Sequence, residues 1–330
     1  MALPTAPAVP IDQVYTRYAY EKVGSREYKN QKYQTRPLLK LLDEKALQGD
    51  GGARIVHPVN LGTASNGKSL ARNETFSIVG DANETWSRWD YAVVIETCFV
   101  SWWDIREARG NEYKMLSVLD SRIAETDENL NDQIATMLAA STKAASTDIN
   151  PILSIVATSG ASGEMNPSTS GQELWRAESE ANINWSVEGV GRTRKLKKKI
   201  SNNRGKSDVI LLPDEFFNET CEIGDSALVI NQDAKTRGGT KYADLGLEVP
   251  FILSTPVISD PAWDSAQTAT GVVMDLNGMH FVSDKMWDGY MYPFKEMAHH
   301  GKLGQATVKL RVCNLTCDSR WTQGLLSSIS

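Results

Sequence analysis

The residues whose types and spacing could do chemistry are few. Gly62-Thr-Ala-Ser-Asn-Gly67-Lys68-Ser69 fits the phosphate-loop pattern G-x-x-x-x-G-K-[ST]. In such a loop backbone N–H groups cradle phosphates, the Lys reaches the terminal ones and the Ser holds a magnesium ion. Val209-Ile-Leu-Leu-Pro-Asp214-Glu215 could supply the second, metal-holding acid. The loop also needs a buried strand before it and a helix after it, so that a helix N-terminus faces the phosphate. Here Pro58 and polar residues precede it and β-type Phe76-Ser-Ile-Val follows. A hairpin tip turning at Asn66-Gly67 is the better reading, and a nucleotide hydrolase using Gly62 to Ser69 is the distant alternative.

Arg192, Arg194, Lys195, Lys197, Lys198 and Lys199 form the one strong basic run. No aromatic side chain interleaves them to stack bases, so a solvated or subunit-facing helix surface, paired with acidic neighbours, is expected rather than a nucleic-acid site. Cys313 and Cys317 with His299 and His300 resemble half of a zinc site, but Cys313 falls in an alternating strand, where a small apolar filler is the commoner role. His57 and His280 read as isolated, and Val156-Ala-Thr-Ser-Gly-Ala-Ser-Gly163 has neither dinucleotide-loop nor nucleophile-elbow spacing. No catalytic set assembles, and no cofactor or metal is expected.

The elements that would position these residues follow from periodicity and punctuation. Residues 1 to about 50 begin with three prolines before Ile11 and continue through Tyr15, Tyr18, Tyr20, Tyr28 and Tyr33 with few aliphatics, which reads as an extended arm. A short helix over Pro37 to Ala46 closes it. Arg54-Ile-Val-His-Pro-Val and Glu74-Thr-Phe-Ser-Ile-Val read as the strands of a long exposed hairpin, because Pro58 does not suit a central sheet. After a strand over Tyr91 to Val100, Leu116, Leu119, Ile123, Leu130, Ile134 and Leu138 recur on one helical face. A helix from Asp104 to Thr142 would be about 58 Å long, far beyond the usual three or four turns.

Strands are expected at Ile152 to Ala157, Val209 to Leu212, Val249 to Ser254, Gly271 to Asp275 and His280 to Val282. Helices are expected at Arg192 to Asn202 and from Asp214. Ala306 to Leu315 alternates in period two, as a half-buried antiparallel strand does. Trp86, Trp89, Trp102 and Trp103 gather near the β-to-helix junction beside the arm and hairpin, which favours an interface over a core role.

Composition agrees with a folded, non-membrane chain. Hydrophobic residues make up 41% and charged residues 23% of 330, room for two lobes or one elaborated domain. A formal net charge of −6 disfavours a dedicated DNA binder. Cys98, Cys221, Cys313 and Cys317 lie in unrelated surroundings and read as thiols of a reducing compartment. The N-terminus has no secretory pattern, no run is long and apolar enough to span a membrane, and the Asn-x-Ser/Thr triplets count as chance.

An arm, a long hairpin, a strand feeding a very long helix, a central α/β lobe and a final β return together resemble the major capsid proteins of tailed bacteriophages, an α+β architecture of the Hong Kong 97 type. Local echoes are Asp208-Val-Ile-Leu-Leu-Pro, Val249 to Asp260, Met274-Asp-Leu-Asn-Gly-Met-His-Phe281 and Trp321-Thr-Gln-Gly324-Leu-Leu. The resemblance implies an N-terminal arm over 1–52, an extended hairpin loop over 53–80 and a peripheral domain over 81–144 with Asp104 to Thr142 as its spine helix. It further implies an axial domain over 145–285 and peripheral return strands over 286–330.

It implies a virion shell protein, assembled in the host cytoplasm into hexamers and pentamers that enclose double-stranded DNA without sequence-specific binding. Arm tyrosines and the tip Ser65, Asn66, Gly67 and Lys68 would meet neighbouring subunits. Scaffolding would come from a separate protein or be dispensed with, and portal and decoration proteins would be further partners. Lys68 sits where some members form an isopeptide crosslink, but no matching acceptor or assisting Glu is found and no crosslink is expected. An encapsulin-like compartment shell of the same fold is the nearer alternative.

Overall fold

The computed structural model describes residues 36–61, 84–107, 112–227, 250–297 and 303–330. The arm tyrosines, the hairpin tip, the phosphate-loop pattern and His299 and His300 lie outside these residues.

Helix α1 spans Pro37–Glu44, with Pro at its first turn, where no N–H is needed and φ is already helical. Pro37, Leu38, Leu39, Leu41 and Leu42 are buried, so α1 is an anchor. Strand β1 (Leu47–Gly49) follows, then an antiparallel ribbon of β2 (Arg54–Asn60) and β3 (Glu84–Asp90). The expected return strand Glu74 to Val79 lies outside the described residues; the strand that pairs with Arg54–Asn60 comes later in the chain. Pro58 is opposite Trp86 in this two-stranded ribbon, where a missing backbone donor is tolerated.

Strand β4 (Ala92–Ser101) leads into α2 (Trp102–Glu107) and α3 (Glu112–Ala139). The helix expected to run on to Thr142 ends at Ala139, whose carbonyl accepts a hydrogen bond from the Gln267 side-chain amide at 2.9 Å. Residues 108–111, between α2 and α3, lie outside the described residues.

The segment expected as a strand from Ile152 is helix α4 (Ile152–Val156). Pro151 precedes it in extended conformation, and the Ser154 hydroxyl donates to the Pro151 carbonyl. Its buried residues, Ile152, Ile155 and Val156, have helical spacing that a short apolar run hides. Next come β5 (Glu178–Ile183), a single π turn at Trp185–Gly189, α5 (Val190–Asn202), β6 (Val209–Leu211) and α6 (Asp214–Ala227). The single strand expected over Val249 to Ser254 is a hairpin of β7 (Phe251–Ile252) and β8 (Thr255–Ile258). Leu253 and Ser254 form its turn at φ of 51° and 66°. Then follow α7 (Pro261–Ala266), β9 (Thr270–Met274), β10 (Met279–Asp284), β11 (Tyr290–Met291), β12 (Lys295–Glu296), β13 (Gly304–Cys317) and β14 (Gly324–Ile329).

Two sheets organise these strands. In the first, long β13 is the axis: β4 pairs with it on one side, and β10, β11 and β12 pair along it, with β1 beyond β10. The second runs β5-β14-β9-β6-β8-β7 and mixes parallel and antiparallel pairs. Alternate residues of its central strands enter different cores. Val209, Leu211, Val272 and Met274 join α1, α3, α4 and the first sheet, while Ile210, Leu212 and Val273 join α5, α6 and the π turn. Both faces of this sheet are therefore covered, which explains its near-continuous apolar strands.

Candidate subunit-contact surfaces

Among the described residues the first sheet is covered on both faces at β10 and the Cys313–Cys317 end of β13, and on one face only at its β4 end. Val94, Cys98 and Val100 of β4 point inward and are buried, and Gln133 on α3 donates to Glu96 at 2.5 Å. On α3, Leu119, Leu130, Ile134 and Leu138 are buried and Ile123 is partly buried. The side chain of Leu116 lies outside the described residues. Lys309 of β13 pairs with Asp127 of α3. Arg311 of the same strand pairs with Asp43 of α1 and Asp288 and lies over the Phe281 ring; Asp43 leads the charges that drive its pKa up against the pull of burial.

At the β4 end the opposite face is apolar and its β4 side chains are exposed. Strand alternation puts Val93, Ile95, Thr97 and Phe99 of β4 beside Val312, Leu310, Val308 and Ala306 of β13, in that register. Val93 is 56% exposed and Ile95 57%. Tyr290 of β11 stands opposite Leu310, and Trp287, Tyr290 and Tyr292 stack edge to face with centroids 5.0 and 5.1 Å apart. The patch continues onto α2, where Trp102 and Trp103 meet edge to face and Arg106 lies 5.4 and 5.5 Å from their ring centres. Trp103 is 66% exposed, as is much of neighbouring Leu303. Trp, Tyr and Arg gathered on a contiguous apolar patch are the composition of an interface centre. Strand β4 pairs only with β13 among the described strands, which leaves a ten-residue edge.

Two of the sites singled out in the sequence look different in three dimensions. His57 and His280, which read as isolated, stand with ring centres 5.5 Å apart where the ribbon meets the body. Their strands are far apart in the chain, so no local pattern could pair them. The basic run lies on α5 and is largely occupied within the chain. Glu180 of β5, 5% exposed, receives Arg192, Lys195 and Lys199 at 3.3, 3.3 and 2.7 Å. Its pKa is lowered: burial pushes it up, and the hydrogen bonds from Lys199, Lys195 and Arg192 with the Lys199 charge outweigh that. Lys197 donates to the carbonyls of Ile252 and Leu253 and to the Thr255 hydroxyl, and burial brings its pKa down to about 8. Arg194 and Lys198 are left on the exposed face.

Sequence reasoning missed Arg320. Its guanidinium, fully buried, donates to the carbonyls of Ser154, Ile155, Ser159, Gly160 and Trp175. It thereby folds the 157–175 loop against α4, and Gly163 of that loop, at φ 63°, packs under the Trp89 ring of the ribbon. A lone Arg between Ser and Trp carries no sequence signal for this role. Cys313 and Cys317 are buried, and burial pushes the Cys313 thiol up to about 12 and raises Cys317 further. Among the described residues no cluster of three or more His, Cys, Asp or Glu could hold a metal ion, and no helix is long and apolar enough to cross a membrane.

No protein-family model matches the sequence. No curated protein matches it either. Solved structures do. A chain of the cyanophage A-1(L) capsid superposes with a TM-score of 0.62 at 14% identity, covering 93% of this chain and 96% of that one. The chain has the fold of tailed-phage capsid proteins. That capsid fold recurs in an empty GTA particle, with a TM-score of 0.53 at 12% identity over 87% of this chain and 95% of that one. It also recurs in the holo-SrpI encapsulin complex of Synechococcus elongatus PCC 7942, with a TM-score of 0.53 at 10% identity, covering 95% of each chain.

Proposed function

We propose that this chain is the major capsid protein of a tailed bacteriophage and self-assembles into the hexamers and pentamers of an icosahedral shell around double-stranded DNA. The observation that carries the reading is the cyanophage capsid likeness over 93% of the chain. The exposed apolar side chains of β4 support it, because Val93, Ile95 and Phe99, left open in one copy, are stabilised by burial against another.

In this reading α3 is the spine helix of a peripheral domain, and the second sheet with α5 and α6 is the axial domain at the capsomer centre. The β2–β3 ribbon carries the extended loop, whose tip at Ser65, Asn66, Gly67 and Lys68 lies over an adjacent subunit. Residues 1–35, with their five tyrosines, form an arm along a neighbour. Arg36 would anchor that arm, since it pairs with Asp132 of α3 at 2.6 Å. Arg194 and Lys198 are the basic-helix residues available for a subunit contact. A phosphate-loop hydrolase is not retained: β2, the strand that leads to Gly62, belongs to a two-stranded ribbon and not to a central parallel sheet.

The test is negative-stain electron microscopy of the purified chain with its size-exclusion profile. Closed shells, or rings of five and six subunits, are the expected result; a uniform monomer or dimer at every salt concentration would overturn the reading. The encapsulin likeness favours one second reading, a compartment shell. Shells that enclose a specific protein cargo and no phage DNA when isolated from their native source would select it.

A further inference from the structure

Of the four histidines in the chain, two meet at the root of the ribbon. Ile55, His57 and Val59 form the inward face of β2, with Trp89, Ser87 and Thr85 opposite them on β3. At the centre of this face His57 and Ser87 dock on the end of β13: His57 Nε2 lies 3.0 Å from Thr316 Oγ1, and the Ser87 hydroxyl donates to the Cys317 carbonyl at 3.3 Å.

The Thr316 hydroxyl donates its own proton to the His280 carbonyl at 3.1 Å, so its oxygen accepts from His57 and the neutral His57 ring carries its proton on Nε2. A second proton would go to Nδ1. It would place a cation between Ile55 and Val59, with the His280 ring 5.5 Å away. His280 Nε2 is 3.0 Å from Asp318 Oδ2, so the nearest carboxylate is already engaged by the other ring.

We propose that this root is an acid-released clasp, in which protonation of His57 undocks the β2–β3 ribbon from β10 and β13 and lets it swing on the body. The titratable groups facing His57 are His280 of β10 and Asp318 just beyond β13; β3 presents only Ser87. Arg54 and Arg88, on the outward face, reach Glu164 at 2.6 and 3.7 Å, and Arg54 also reaches Asp90 at 2.9 Å. These pairs remain when His57 is charged, so the response is a hinge motion and not detachment.

Burial is the largest influence on His57 and holds its pKa below the ordinary imidazole value; His280 lowers it further and Asp318 opposes both. The undocked ribbon takes up the proton more readily. Docking is therefore fully favourable above about pH 6.5 and weakens as pH falls below that toward the lowered value. The consequence for a shell rests on the proposed function, in which the ribbon reaches a neighbour; the clasp itself does not.

Hydrogen exchange of the full unassembled chain, corrected for intrinsic rates, at about pH 7.5 and about pH 5.5 tests it. Expected is a loss of protection of roughly tenfold at residues 54–60 and 84–90, with 306–315 unchanged. His57→Gln, which keeps a donor for Thr316, should abolish that pH dependence. Should this variant fail to fold, His280→Gln serves instead, and should reduce the loss by removing the imidazole that faces His57. A wild-type ribbon equally protected at both pH values, or an acid loss undiminished in the variant used, would overturn the clasp. Microscopy separates the two readings: an acid-labile ribbon without shells overturns only the shell, and shells with an acid-indifferent ribbon overturn only the clasp.

Discussion

The two sheets of this molecule solve the same burial problem differently. In the β5-β14-β9-β6-β8-β7 sheet, helices or the main core cover both faces, and Val209, Ile210, Leu211, Val272, Val273 and Met274 are all fully buried. In the β13-centred sheet, α3 covers one face and the other stays open at Val93, Ile95 and Phe99. The β4 end of the first sheet thus leaves apolar side chains uncovered among the described residues, whereas the second sheet is covered within one copy. An apolar strand pattern marks burial in both cases, and only the tertiary arrangement says whether the covering surface belongs to the same chain.

Perturbations should separate the two regions. The largest effect is expected at Arg320, which joins the loop over 157–175 to the last turn before β14. Arg320→Met orphans five carbonyl contacts, two of them fully buried, and should destabilise the chain by about 4 kcal/mol or more, read from urea denaturation. Arg320→Lys, without the planar fork, should recover little of this.

Next, Ile210→Ala should cost about 2–5 kcal/mol in the same measurement, because a side chain enclosed by α5 and α6 leaves a cavity. By contrast, Ile95→Ser on the open face should change stability of the single copy by no more than about 0.5 kcal/mol while abolishing association in sedimentation. Equal destabilisation by both substitutions would erase the distinction between the sheets.

The remaining effect depends on pH and is expected at Lys197. Its lowered pKa, about 8, means that the unfolded chain binds more protons between about pH 8 and about pH 10.5. Stability should therefore rise with pH across that window, and Lys197→Met should remove that part of the slope. The comparison of variant with wild type isolates Lys197 from the other groups that titrate there.

Several elements were legible without coordinates because their signals are local. Pro37 announces α1, the alternation from Ala306 to Leu315 announces β13, and Leu130, Ile134 and Leu138 share a face of α3 through i, i+4 spacing alone. Ile152 to Val156 was misleading because five apolar residues satisfy either period, and Pro151 with Ser154 decided for helix. Val249 to Ser254 was misleading because nothing in Leu253-Ser254 advertises positive φ. The ribbon's partner strand, Glu84–Asp90, mixes Trp with charge and looks less strand-like than Glu74 to Val79, yet the docking of Trp89 against Gly163 gives it a place.

The contact chemistry was less legible than the fold. Glu180 lies in a polar stretch, Glu178-Ser-Glu-Ala-Asn, and becomes the hub of three cations only because β5 runs beside α5. His57 and His280 meet only because the ribbon folds back on β10 and the end of β13.

By itself the amino-acid sequence determined the local periodicities behind α1, α3, α5 and β13, since these depend on residues within a few positions of each other. Only the tertiary structure decided which apolar face is covered, which cations are already paired and which histidines touch. Those outcomes depend on strands brought together across hundreds of residues, where burial and Coulomb energies are set by distance in space and not along the chain.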